Sequence, residues 1–83
     1  MGEFLVKVNI TAAGTYSVPI KNRVFGVYST AAVKVGWDYN GEVADITPVA
    51  ATVWEPHNPF NPAPTSKLVI TATSAAVVTI RME

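Results

Sequence analysis

The chain has 83 residues, six basic and six acidic side chains, one histidine and no cysteine, so its formal net charge is zero and it has room for one small domain. Disulfides are excluded, His57 alone leaves too few ligands for a structural zinc, and Lys7, Lys21, Arg23, Lys34, Lys67 and Arg81 are too scattered to form the basic footprint of a nucleic-acid binder. Charged residues make up 14% and hydrophobic residues 49% of the chain, with mean hydropathy +0.28. A domain this small buries only about 60–65% of the surface its unfolded chain exposes. Apolar surface should therefore be left over, and assembly with other chains is the expected reinforcement.

No apolar run approaches the ~20 residues that span a bilayer as a helix. Met1 to Lys7 lacks the basic and apolar regions of a secretory signal, and Val6 stands where a myristoylation motif wants Ser or Thr. Asn9-Ile10-Thr11 fits a glycosylation sequon, but without a secretory route it reads as a chance match. Synthesis in the cytoplasm is the expectation, with no membrane partner.

Phe4 to Ile10 alternates, Phe4, Val6, Val8 and Ile10 on one face and Leu5, Lys7 and Asn9 on the other, which predicts a half-buried strand. Thr11 to Gly14 reads as a turn and Tyr16 to Ile20 as a short strand, with Pro19 marking an edge. Arg23 to Ser29 carries apolar groups on both faces, so it should be covered twice, the second time by a neighbouring subunit. Ala32 to Tyr39 sets Val33, Val35, Trp37 and Tyr39 on one face, and Tyr39-Asn40-Gly41-Glu42 is a strong hairpin signal because Asn-Gly tolerates positive φ. Val43 to Ile46 is the expected return strand. Pro48 should interrupt it, and Val49 to Trp54 reads as a further short strand.

Trp54 to Pro64 holds four prolines in eleven residues, with Pro56, Pro59 and Pro62 at the three-residue repeat of a polyproline II helix. Residues 54–65 are therefore predicted to be a loop or arm rather than a strand. Lys67 to Thr73 and Val77 to Met82 form the closing pair. About eight short strands at 8–12-residue spacing, with no helical periodicity, predict an all-β fold: a single antiparallel β-sandwich over residues 1–83, jelly-roll-like, with the Pro-rich loop before the last hairpin.

Arg23 to Val33 lines up with Lys67 to Val77 at a constant offset of 44 residues, each a strand, a small hydroxyl-Ala-Ala corner and a strand. Duplication of a hairpin and the easy self-matching of Ala-, Val- and Thr-rich sequence account for this equally well.

No catalytic constellation is expected. His57 is the only possible imidazole base and has no nucleophile motif beside it. Asp38, Glu42, Asp45 and Glu55 sit at turns where carboxylates are usually solvated. Asp38-Tyr39-Asn40-Gly41-Glu42 faintly suggests a calcium loop, but Thr47 stands where the bidentate Glu would be needed, and the hairpin explains the residues without a metal. Trp37, Tyr39 and Trp54 raise a sugar-stacking platform, although Trp37 and Tyr39 continue the apolar face of Val33 and Val35 and belong in the core. Asn58-Pro59-Phe60 and Pro56-x-x-Pro59 match short peptide ligands of EH and SH3 domains, motifs brief enough to arise by chance. The sharper expectation is a docking arm, in which Trp54, Pro56, Pro59, Phe60 and Pro62 form a prestiffened protein-interaction segment anchored by its aromatic residues.

Val8 to Tyr16 (Val-Asn-Ile-Thr-Ala-Ala-Gly-Thr-Tyr), Val33 to Trp37 (Val-Lys-Val-Gly-Trp) and Ser74 to Arg81 (Ser-Ala-Ala-Val-Val-Thr-Ile-Arg) give the chain a style that resembles the small all-β accessory proteins of tailed-phage virions, including head decoration or cement proteins. The resemblance carries over no functional residue. It implies a virion protein made in the host cytoplasm, a homo-oligomer and often a trimer, that clamps a major capsid or other virion protein without catalysis or cofactor. The alternative from another class is a carbohydrate-binding or adhesive β-sandwich module.

Overall fold

The computed structural model describes residues 4–20, 24–39, 41–56 and 67–82. Eight strands are described, all antiparallel in their pairing and with no helix among them: β1 (Phe4–Ile10), β2 (Gly14–Pro19), β3 (Val24–Ser29), β4 (Val33–Tyr39), β5 (Glu42–Val49), β6 (Glu55–Pro56), β7 (Lys67–Ala72) and β8 (Ala76–Met82). They form two four-stranded sheets, ordered β1-β8-β3-β6 and β2-β7-β4-β5. Apart from the β4–β5 hairpin, each consecutive pair of strands is split between the sheets. The chain is thus one long hairpin whose rungs β4·β5, β3·β6, β2·β7 and β1·β8 fall alternately in one sheet and the other.

Period-two alternation dictates which side chains meet between the sheets. From the first sheet come Ile10, Val24, Val27, Ala76, Val78, Ile80 and Met82, and from the second Val33, Val35, Trp37, Val49, Leu68, Ile70 and Ala72, all buried in one cluster. Val6 and Val8 of β1 and Tyr16 and Val18 of β2 pack against its margin and stay partly exposed. Trp37 is therefore core, as its alternation with Val33 and Val35 predicts; the side chain of Tyr39 lies outside the described set.

The hairpin turn forms where Asn-Gly places it. Tyr39 faces Glu42, Gly41 has φ 98°, and the Gly41 N–H donates to Asp38 Oδ1 at 2.6 Å. Asp38 thereby holds the turn. Asn40 lies outside the described residues.

Three expectations are corrected. Pro48 does not end a strand, because β5 is an edge strand, where one side needs no ladder bonds and proline is tolerated. Residues 49–54 do not make a strand of their own: β5 continues to Val49, and beyond it Thr52 adopts φ 60° and donates its N–H to the Ser29 carbonyl at 2.8 Å. Finally, the Pro-rich stretch is not loop throughout, since Glu55–Pro56 is the edge strand β6, pairing Gly26 with Pro56 and Val27 with Glu55.

The internally similar segments become the four central strands. Each crosses between sheets at its corner, β3 to β4 in one direction and β7 to β8 in the other, and the two units pair crosswise as β3·β8 and β4·β7. At the first corner the fully buried Ser29 hydroxyl donates to the Ala31 carbonyl and accepts from the Ala31 N–H, so a polar group inside the core is satisfied. The neighbouring Thr30 ties that corner to β8, its N–H donating to Val77 O at 3.2 Å and its Oγ1 accepting the Val77 N–H at 2.9 Å.

Ile70→Ala, at a fully buried site, should cost about 2–5 kcal/mol by leaving a cavity. Ile46→Ala, where the side chain is exposed, should stay within about 0.5 kcal/mol. Urea unfolding of the two variants measures both.

Candidate interaction surfaces

Among the described residues no group of three or more His, Cys, Asp or Glu could hold a metal ion. Two open depressions among the described residues lie where strands end, one lined by residues that include Asn9, Thr11, Thr30 and Val77 and another by Ala32, Val33, Lys34, Thr71 and Thr73. Neither brings a nucleophile to a base. The features that call for explanation lie instead on the outer faces of the sheets.

On the first sheet, outward-facing residues form rows fixed by register. Lys7 faces Thr79, which faces Tyr28, and Leu5 faces Arg81, which faces Gly26. A Cβ on Gly26 would stand 3.4 Å from the Glu55 carbonyl and 3.5 Å from Cε3 of Trp54. A Cβ would fit there in ordinary contact, so β6 and the indole lie close over β3 at Gly26 without glycine being required. Trp54 also meets Tyr28, with ring centroids 5.4 Å apart and planes inclined at 44°, a tilted aromatic pair worth about 0.5–1.5 kcal/mol beyond the area it buries. The outer face of β3, expected to be covered by a neighbouring subunit, is thus covered in part by the chain's own tryptophan. Trp54 nevertheless remains 47% exposed, and Val53 and Leu5 are more exposed still.

The second sheet repeats the device with aliphatic groups. Val35 faces Thr47 and Trp37 faces Ala44, so β5 carries an extra residue opposite Gly36. A Cβ on Gly36 would lie 3.0 Å from Ile46 Cγ1, 3.1 Å from the Ala44 carbonyl and 3.4 Å from Val43 Cγ1. Ile46 and Val43 lean over the glycine, yet both remain largely exposed. Each outer face therefore carries apolar side chains over a glycine floor, Trp54 above Gly26 and Ile46 with Val43 above Gly36.

No protein-family model, no curated protein and no solved structure matches the chain.

Of the residues predicted to form the docking arm, Trp54 and Pro56 are exposed beside β3, while Pro59, Phe60 and Pro62, like His57, lie outside the described residues. Trp37, a candidate for sugar stacking, is buried at 3% exposure and offers no ring to solvent. Sequence reasoning missed Val43 and Ile46 as surface features. The signal was Gly36, an outward-facing glycine in the middle of an otherwise unbroken strand.

The two tryptophans report separately on core and surface. Trp54→Phe should leave an emission spectrum shifted to shorter wavelength and poorly quenched by acrylamide, because Trp37 alone remains. A long-wavelength, readily quenched spectrum in that variant would place Trp37 at the surface.

Proposed function

We propose that the protein is a non-enzymatic structural subunit with a jelly-roll sandwich, a virion accessory protein of the head-decoration kind that stabilises a shell by protein–protein contacts. The jelly-roll reading is supported by the facing orders β1-β8-β3-β6 and β2-β7-β4-β5, the pattern left when a long hairpin is rolled into two sheets. Fold alone does not supply the function. The observation that carries the assembly reading is the exposure of apolar side chains on opposite outer faces, Trp54 on one and Ile46 with Val43 on the other. Trp54 gains only part of its burial from Tyr28 and β3, and its remaining surface stays in water. Two opposed contacts per subunit suit a part that bridges neighbours, and zero net charge leaves little long-range repulsion to keep subunits apart.

The virion setting draws on the resemblance in sequence style. A carbohydrate-binding module is the second reading, favoured by one observation, the half-exposed Trp54 ring on an outer sheet face. Indole emission across a glycan panel separates the two, since stacking on a sugar shifts Trp54 emission and a clamp gives no response.

Co-sedimentation with a particulate protein shell and light scattering of the isolated chain test the main reading. Trp54→Ala should weaken assembly by tenfold or more, as expected of a buried aromatic anchor worth about 2 kcal/mol, while its stability falls less than its binding. A monomer at every concentration that adheres to no shell would overturn the reading, and so would a Trp54→Ala protein that unfolds with no separable binding defect.

A further inference from the structure

The exposed edges of the two sheets are unequal, and the inequality selects one of them as a pairing site. This inference rests on the assembly reading and names the partner for one surface of it. The edge strands are β1 and β6 in one sheet and β2 and β5 in the other. An edge strand presents unpaired N–H and C=O groups to any strand that can lie beside it, and proteins blunt such edges with proline, bulges, brevity or charged side chains, lysine above all. Strand β5 contains Pro48 and an extra residue opposite Gly36. Strand β6 is two residues long, and β2 begins at Gly14 and ends at Pro19. By contrast β1 is seven residues, free of proline and glycine, in unbroken register with β8 from Phe4 against Met82 to Ile10 against Ala76, and guarded only by the exposed Lys7 at its centre.

The flank behind that edge is apolar. A short turn at residues 11–13 joins β1 to β2, so the two edges lie on the same side of the sandwich, and there Val6, Val8, Tyr16 and Val18 complete the core only in part. A strand added to β1 would satisfy its backbone and cover the exposed sides of Val6 and Val8. We propose that this strand is β1 of a second copy, paired antiparallel about a two-fold axis so that the two first sheets run on into one of eight strands.

The sequence of β1 fixes the register. Side chains opposite one another must share a face, which places the axis on a residue, and keeping at least five residues of β1 paired leaves axes at Val6, Lys7 or Val8. An axis at Lys7 sets two ammonium groups directly opposite each other, a destabilising arrangement. An axis at Val6 sets Lys7 against Leu5. Only the axis at Val8 gives Lys7 a polar neighbour, Asn9 of the other copy, and it also sets Val6 against Ile10 on the core side. Lys7 thus acts against the fully overlapped register while permitting the offset one. Apart from Lys7 the described β1 carries no charge, and in this register two copies set Val6 against Ile10 and Lys7 against Asn9 twice over, so a second copy meets the edge with matching apolar and polar rows.

Sedimentation equilibrium on the full chain and two variants decides the matter. Wild type should be a dimer. Asn9→Lys, at an exposed position, should raise the dimer dissociation constant about tenfold by setting like charges in contact twice across the axis. Adding Lys7→Glu to Asn9→Lys should restore dimerisation, because opposite charges then face each other, and circular dichroism should show all three chains equally folded. A dimer indifferent to Asn9→Lys, or one that the second change does not rescue, overturns the β1 pairing while leaving assembly by the outer faces intact. A wild-type monomer also overturns the pairing, and co-sedimentation with a shell then decides separately whether the assembly reading survives.

Discussion

Burial of Val27 and Ile80 of the first sheet against Val35 and Ile70 of the second is the interaction on which the rest of the structure depends. All four are fully buried, and they belong to β3, β8, β4 and β7, the central strands of the two sheets. Because β3 pairs with β8 and β4 with β7, while the chain runs from β3 to β4 and from β7 to β8, each central strand is held by a ladder on one side and a covalent corner on another. Ser29 makes the corner possible by supplying hydrogen bonds inside the core, and Thr30 binds it to the start of β8. The outer strands add to this frame one by one, and each leaves an edge.

A domain of this size buries only about 60–65% of the surface its unfolded chain exposes, and 49% of these residues are hydrophobic. The geometry disposes of the surplus in two ways. Where an outward position is glycine, a large side chain from a neighbouring strand or turn lies over it, as Trp54 does over Gly26 and Ile46 over Gly36. Where the core runs out at the flank, Val6, Val8, Tyr16 and Val18 remain half covered. Both leave apolar surface in water, and both become favourable when another protein is added. The same physical shortage therefore links the thin core, the exposed aromatic pair and the open β1 edge.

Much of this was legible in the residues. The alternation in Phe4 to Ile10 and Ala32 to Tyr39 announced β1 and β4 within a residue, and Asn40-Gly41 announced the hairpin. What local pattern could not carry was position in a sheet. Pro48 reads as a break to anyone who cannot know that β5 is an edge, and Glu55–Pro56 reads as loop because the partner that makes it a strand, Gly26–Val27, is almost thirty residues away. Trp54 was legible as a surface aromatic, but not its packing on Tyr28 and over Gly26 of β3. The extra residue in β5, which aims Ile46 over Gly36, leaves no mark in a period-two count.

The central claim is that the leftover apolar surface is completed by protein contacts, with β1 as the edge that pairs. Amide hydrogen exchange read strand by strand at increasing protein concentration tests it most directly. The account predicts that amides of β1 slow as concentration rises, while those of the edge strand β5, blunted by Pro48 and its extra residue, exchange at a constant rate. Exchange in β1 that is as fast in concentrated as in dilute solution would contradict it.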